Sequence, residues 1–275
     1  MEISTATFDY VRDLVGNQAG IVLEPEKHYL VDSRLMPIAR RRGFPSTDAL
    51  VAHARTSGDA ELRNSVIEAM TTNETTFFRD GEPFEALRHE VLPRLIKARE
   101  PVKRLQIWCA ASSTGQEPYS LAMLLQENFP QLASWDVSIL GTDLSEDVLA
   151  RARNAKYSQL EVNRGLPATL LVKYFEKQGL EWRLKTGAGL RERVRFDKLN
   201  LVKPWPPIGT FDLVMLRNVM IYFDVPTKQR IFSQLAGVLR HDGVLFLGSA
   251  ETTIGIHAGF ERETWRKTGF YKQVA

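Results

Sequence analysis

The sequence predicts an α/β protein: a doubly wound parallel sheet preceded by an all-helical N-terminal domain. Three observations carry this. Short apolar runs at 105–109, 137–140, 211–216 and 244–247 have the length of buried strands. Amphipathic stretches separate them, so strand and helix alternate as in a parallel sheet. Residues 1–80 instead show helical periodicity.

In chain order, residues 4–15 present Phe8, Val11, Leu14 and Val15 on one helical face. Residues 26–42 form a second helix, which Pro37 kinks or divides and Gly43 closes. Lys27, Arg34 and Arg41 recur every seven residues along it and share a face. Such a face suits the docking of an acidic partner helix, although arginines near a helix C-terminus also simply complement its dipole. Helices at 47–56 and 59–70 complete the domain. The polar run 70–80 ends in Phe77, Phe78, Arg79 and Asp80 and has a helix-start signal in its Thr and Asn residues. A helical linker at 81–100 leads to the domain at 101–275. There the strand 105–109 breaks into the small-residue turn Ala111-Ser-Ser-Thr-Gly115, and Pro118 opens a helix. The strand 137–140 ends in Gly141-Thr-Asp143, and a helix follows at 145–153. Residues 155–192 interrupt the alternation. Trp182 to Lys185, the turn Thr186-Gly-Ala-Gly189 and then Val194 and Phe196 predict a small antiparallel insertion. A helix at 225–240 and an antiparallel pair at 260–273 close the chain.

Composition narrows the function. The chain has 275 residues with one cysteine, Cys109, inside a strand, which excludes an intrachain disulfide and a cysteine zinc cluster. No apolar run approaches the roughly 20 residues that span a bilayer, and residues 1–10 lack the features of a signal peptide. A cytoplasmic protein without direct membrane insertion is expected. Residues 1–85 hold 9 Lys/Arg and 14 Asp/Glu, and the remainder holds 27 and 19. The basic half has no Lys/Arg stripe interleaved with aromatics, so a mixed solvated surface is expected rather than a nucleic-acid partner.

Ligands of open α/β sheets bind outside the carboxyl ends of the strands. Here those ends carry Ser112 to Glu117, Asp143, Asn200 and Arg217-Asn218. An acid after the second strand can accept both hydroxyls of a ribose, and an Asn amide can read the edge of an adenine. NAD and S-adenosylmethionine share that nucleoside. Pyrophosphate needs close backbone approach at a G-x-G-x-x-G turn. This turn lacks it and places the Glu117 carboxylate just beyond, which would repel a pyrophosphate and attract the ammonium of a methionine. S-adenosylmethionine is therefore the expected cofactor, with no metal.

Five segments in order, Thr72-Asn-Glu-Thr-Thr-Phe-Phe-Arg79, Ala111-Ser-Ser-Thr-Gly-Gln-Glu-Pro-Tyr-Ser120, Gly141-Thr-Asp143, Asn200-Leu201 and Arg217-Asn-Val-Met-Ile-Tyr-Phe223, make the chain resemble the CheR-type chemotaxis receptor methyltransferases along almost its whole length. The resemblance implies a Rossmann-like class I S-adenosylmethionine-dependent methyltransferase domain, with a β-subdomain insertion and the helical domain before it. It implies methyl esterification of glutamate side chains on the cytoplasmic helical bundle of chemoreceptors, leaving S-adenosylhomocysteine. Carried over by residue, it implies that Asn73, Thr75, Arg79, Glu117, Asp143, Asn200, Leu201, Arg217 and Asn218 contact the cofactor. The run around Asn73 becomes a flap, and Arg79 and Tyr222 lie nearest the transferred methyl. The acceptor being a helical bundle, Lys27, Arg34 and Arg41 become its expected docking face, and further regulatory proteins are possible partners.

The chemistry suits so sparse a set of residues. A glutamate is ionised at neutral pH, with a reference pKa of about 4.3, so no general base is required and alignment with exclusion of water dominates. The family often has two acids after the turn glycine; Gln116 replaces the first here and Glu117 keeps the second. The compact Thr186–Gly189 turn argues against a receptor-peptide tether on the β-subdomain. Two competing functions remain at this stage: a scaffold that senses S-adenosylmethionine on receptor arrays, and a non-receptor methyltransferase. The latter is disfavoured because Arg217-Asn-Val-Met lacks an Asn-Pro-Pro-aromatic motif.

Overall fold

A computed structural model describes residues 3–274. The described residues divide into two compact units, 3–72 with 222–228, and 73–221 with 229–274. The polar run 73–80, expected with the helical domain, thus belongs to the sheet unit.

The helical unit contains α1 (Thr5–Ala19), α2 (His28–Arg41), α3 (Thr47–Thr56) and α4 (Ala60–Ala69). Their apolar stripes bury Phe8, Val11, Val15, Val31, Leu35, Leu50, Leu62 and Val66. Ser4 caps α1 by accepting from the Thr7 amide at 3.3 Å. Asp48, in the first turn of α3, accepts from the Ser4 hydroxyl at 2.8 Å and from the Thr7 hydroxyl at 2.5 Å. These bonds, the one from Thr7 foremost, draw its carboxyl below the usual range. The expected helix 26–42 begins later, because Pro25 opens a separate 3₁₀ turn, Pro25–Lys27. The regular spacing therefore holds for Arg34 and Arg41, whereas Lys27 precedes the helix. Pro37 is carried inside α2 without ending it.

In the sheet unit, α5 (Glu82–Ala86) and α6 (Leu92–Arg99) are joined by a π-helical turn, Leu87–Val91. Pro93 follows that turn; it lacks the amide a regular α-helix would use there. Next come β1 (Arg104–Ala110), α7 (Gln116–Asn128), β2 (Asp136–Asp143) and α8 (Glu146–Asn154). The insertion holds β3 (Lys156–Ser158), α9 (Gln159–Asn163), α10 (Ala168–Tyr174), β4 (Phe175–Gln178) and β5 (Glu181–Leu184). The chain closes with β6 (Val194–Lys198), β7 (Phe211–Leu216), α11 (Val225–Val238), β8 (Leu239–Leu247), β9 (Phe260–Trp265) and β10 (Thr268–Gln273).

The main sheet runs β6-β2-β1-β7-β8-β10-β9. Its first five strands are parallel, and β10 joins β8 and β9 antiparallel. Central β7 is buried along its whole length, as a strand covered on both faces must be. The order reverses at β1, so the crevice lies outside the carboxyl ends of β1 and β7. The insertion is a separate antiparallel sheet, β3-β5-β4. Its hairpin turns at Gly179, with φ 63°, rather than at Thr186–Gly189. Val194 to Lys198 is not part of the insertion; it pairs parallel with β2 as the third strand of the main sheet. Apolar alternation at 182–196 does not distinguish these two pairings, because both put every second residue inside.

Candidate functional site

The turn after β1 makes the crevice. Ala111, Ser113 and Gly115 all have positive φ, at 58°, 49° and 93°. Glycine adopts that conformation freely and Asn or Asp at times, whereas Ala111 and Ser113 keep it only where their surroundings impose it. Hydrogen bonds hold the turn open. The Ser112 amide donates to the Thr142 carbonyl at 2.8 Å, and the Ser113 amide donates to Asp143 Oδ2 at 2.9 Å. Asp143 Oδ1 accepts from the Ser145 amide, which starts α8, at 3.1 Å. One buried carboxylate at the end of β2 therefore fixes both the first turn and the next helix. A carboxylate has about four acceptor sites, so these two bonds are compatible with accepting ribose hydroxyls as well.

The polar run lies against this turn. The Ser113 hydroxyl donates to the Asn73 carbonyl at 2.7 Å, and the Phe78 amide donates to the Ser120 hydroxyl at 3.0 Å. Phe77 is fully buried, edge-on to Tyr157 of β3 and Phe175 of β4. Its carbonyl sits so close to Gly165 that a Cβ there would collide with it, at a φ of +87° that already favours glycine. The run is thus a seated segment with Thr75 half-buried and exposed Glu74 reaching Arg164 at 2.7 Å. Arg79 bonds the Glu74 carbonyl at 2.9 Å and is half-buried.

At the end of β7, the Arg217 guanidinium is buried between two carboxylates. It reaches Glu117 at 2.8 Å and Asp80 at 2.6 Å, and also bonds the Arg79 carbonyl at 3.1 Å. Its Nε and the Ser112 hydroxyl are buried without a hydrogen-bond partner among the described residues. Asn218 follows with φ 59°. At the β6 end, the Asn200 side-chain carbonyl accepts from the Val202 amide at 3.1 Å, which orients its amide, and Leu201 is buried. Cys109 lies fully buried in β1; burial first, then the Glu117 charge, pushes its thiol well above the ordinary range, so it is no nucleophile.

The sheet unit therefore contains Asn73, Thr75, Arg79, Glu117, Asp143, Asn200, Leu201, Arg217 and Asn218; Asn73 and Asp143 are joined through Ser113, and Arg79, Glu117 and Arg217 form a second bonded group with Asp80. Tyr222 and the expected docking residues fall in the helical unit. Tyr222 is half-buried, and its carbonyl accepts from the Val22 amide at 3.0 Å. Lys27 pairs with Glu24 at 3.1 Å. Arg34 donates to the carbonyls of Met70 at 2.7 Å and Thr71 at 3.0 Å, and to the Thr72 hydroxyl at 3.0 Å. Arg41 is exposed. The sequence places Ser113 within the polar strand end Ser112 to Glu117 without showing its partners, and it does not single out Asp80. Asp80 adjoins Arg79, but nothing local shows that it meets Arg217, 137 residues away.

The donor set fits S-adenosylmethionine. Glu117 offers an anion for an ammonium, Asp143 an acceptor for hydroxyls, and the buried Arg217 Nε a further donor in the same crevice. No helix among the described residues is long and apolar enough to cross a membrane, and no cluster of His, Cys, Asp or Glu among them could hold a metal.

Comparison with known proteins agrees with this assignment. Residues 73–267 match the S-adenosylmethionine-binding domain of CheR methyltransferases, and residues 6–71 match the family's all-alpha domain. Chemotaxis protein methyltransferase 1 of Pseudomonas aeruginosa is 43% identical over 91% of this chain and 92% of its own length. Chemotaxis protein methyltransferase Cher2 of Pseudomonas putida is 38% identical over 93% and 94%. Chemotaxis protein methyltransferase 1 of Vibrio cholerae is 38% identical over 89% and 88%. With the β1 turn, the Asp143 clamp and the two domain matches in agreement, this chain belongs to the CheR methyltransferase family.

Proposed function

We propose that this protein esterifies glutamate side chains on the cytoplasmic helical bundle of chemoreceptors and leaves S-adenosylhomocysteine as product. The observation that carries the reading is the pair of bonded groups at the reversal of strand order, Asp143 with Ser113 and Asn73, and Glu117 with Arg217. The relatives' names as chemotaxis methyltransferases support the acceptor class.

When bound, S-adenosylmethionine supplies a sulfonium methyl that a carboxylate takes by in-line displacement. The Glu117 carboxylate would hold the methionine ammonium while it stays paired with Arg217. Asp143 would hold the ribose, and Asn200 with Leu201 would frame the adenine. The 2.8 Å contact with Arg217 fixes the Glu117 carboxylate in place, so it meets its ligand without rearrangement. Asn73 and Thr75 would close over the cofactor and exclude water. Arg79 would orient the acceptor carboxylate, with Tyr222 beside the reacting methyl. No residue needs to take a proton, since the acceptor is already an anion at neutral pH. Arg41, with Lys27 and Arg34, would meet the acidic surface of the acceptor helices. Action in the cytoplasm, at receptor arrays, follows from that acceptor.

The test is transfer of labelled methyl from S-adenosylmethionine to purified receptor cytoplasmic fragments by the full-length protein. Label that mild base releases as methanol is the expected result. Base-stable label would overturn the ester, and cofactor binding without transfer would overturn the enzymatic role.

A further inference from the structure

The loop Arg217–Ile221 leaves β7 and enters a 3₁₀ turn, Met220–Tyr222, and every one of its amides after Arg217 points to one side chain. Glu251, in the segment after β8, accepts from the Asn218 amide at 2.8 Å and the Gly248 amide at 2.6 Å through Oε2. Through Oε1 it accepts from the amides of Val219 at 2.8 Å, Met220 at 2.7 Å and Ile221 at 3.3 Å. Five backbone donors thus converge on one half-buried carboxylate, and no Lys or Arg pairs with it among the described residues. Charge-assisted bonds of this kind are stronger than neutral ones, and here they satisfy the amides at the start of the 3₁₀ turn, which have no partner within it.

Two features describe how closely the pieces are gathered. Asn218 turns the chain with φ 59°, in the left-handed region that asparagine enters more readily than most non-glycine residues. Gly248 is the residue that lets the pieces meet. A Cβ there would lie 2.6 Å from Glu251 Oε2, 2.9 Å from the Asn218 amide nitrogen and 2.9 Å from the Asn218 side-chain nitrogen. All three groups lie within the sheet unit.

We propose that Glu251 is a positioning residue for the cofactor site: it fixes the Arg217–Ile221 loop so that Arg217 and Asn218 face the ligand. It touches neither reacting atom. This rests on the assignment of Arg217 and Asn218 to S-adenosylmethionine made above. Glutamine cannot substitute, because its amide keeps one acceptor oxygen and turns an NH₂ group toward amides that also donate.

The experiment compares wild type, Glu251→Gln, Glu251→Asp, Gly248→Ala and Asn218→Ala in the full-length protein. It measures S-adenosylhomocysteine affinity by calorimetry and the KM for S-adenosylmethionine with receptor fragments, at titrated active-site concentration. Glu251→Gln and Gly248→Ala are expected to raise the KM and the Kd tenfold or more. Glu251→Asp keeps the charge and recovers part of the loss. A merely structural role would reduce the folded fraction, which lowers apparent turnover and leaves KM unmoved; that result overturns the proposal. An unchanged affinity in Asn218→Ala defeats the assignment of Asn218 to the cofactor. A weakened Asn218→Ala beside an unchanged Glu251→Gln defeats the positioning role alone. Should Glu251→Gln fail to fold, hydrogen exchange in the wild type decides: slow exchange of the Asn218, Val219 and Met220 amides supports the proposal, and exchange at open-loop rates overturns it.

Discussion

Asp143 receives the Ser113 amide on one oxygen and the Ser145 amide on the other, so the residue proposed to hold the ribose is also the pin between two loops. Its place at a strand end was legible in the sequence, because an acid after a short apolar run is a recognisable pattern. The two amides were not, because they depend on how adjacent strand ends meet. Arg217 is similar: the sequence marks it at the end of β7, and only the fold shows it between Glu117 and Asp80. Asp143→Asn is the informative change. Its amide can accept from one loop only and presents an NH₂ to the other donor. Loss of one such bond costs about 1–2 kcal/mol, or roughly 2–4 °C of Tm at this size. S-adenosylhomocysteine affinity should fall at least tenfold. Calorimetry with a parallel thermal melt checks both, and unaltered affinity with a lowered Tm would restrict Asp143 to the structural role.

Strands with uninterrupted apolar runs were legible at the scale of elements: β7 occupies the residues expected of it, and its burial on both faces explains why. The insertion was located but not resolved, since period-two patterning does not say which partner a strand takes. Phe77 and Gly165 were opaque for another reason, since their contact joins segments 88 residues apart. The packing of α7 on α8 was equally hidden. There the fully buried Tyr119 hydroxyl donates to the Ala152 carbonyl at 3.0 Å. Burial pushes its phenol up to about 12. An unfolded phenol ionises near pH ~10, so below that both states hold the proton and stability is unaffected. Between about 10 and 12 only the unfolded state loses it, and stability falls by up to ~1.4 kcal/mol per pH unit. Tyr157, whose phenol burial also raises, adds in the same direction. Tyr119→Phe should lose about 1 kcal/mol at pH 8 with its hydrogen bond, then show a flatter alkaline decline than wild type. Urea denaturation from pH 8 to 11 measures the two slopes, and parallel slopes would mean that Tyr119 is not the group resisting ionisation.

For the molecule as a whole, the decisive question is how a cofactor-binding sheet acquires a large, folded acceptor, and the expected docking face is where the structure sharpens the sequence most. Seven-residue spacing made Lys27, Arg34 and Arg41 equivalent, but they differ in what they already hold. Lys27 sits in its own 3₁₀ turn beside Glu24. Arg34 ties the end of α4 by its bonds to Met70, Thr71 and Thr72, and burial draws its pKa down from the ordinary arginine value. Reversing Arg34 would therefore leave those carbonyls without their donor and confound docking with unfolding. Arg41 is exposed near the C-terminus of α2 and free of that problem. Arg41→Glu should raise the KM for receptor fragments about three- to tenfold, in line with a surface charge pair of up to ~1 kcal/mol replaced by repulsion. The KM for S-adenosylmethionine should not move, and Tm should stay within a degree or so. Because the Debye length shrinks to about 3 Å at 1 M salt, the difference from wild type should close as salt is added. Arg34→Glu should lower Tm in the same series, which separates the two arginines by a measurement independent of activity. Equal receptor KM for wild type and Arg41→Glu at low salt would remove α2 from acceptor recognition and leave the sheet unit to recognise the helical bundle by itself.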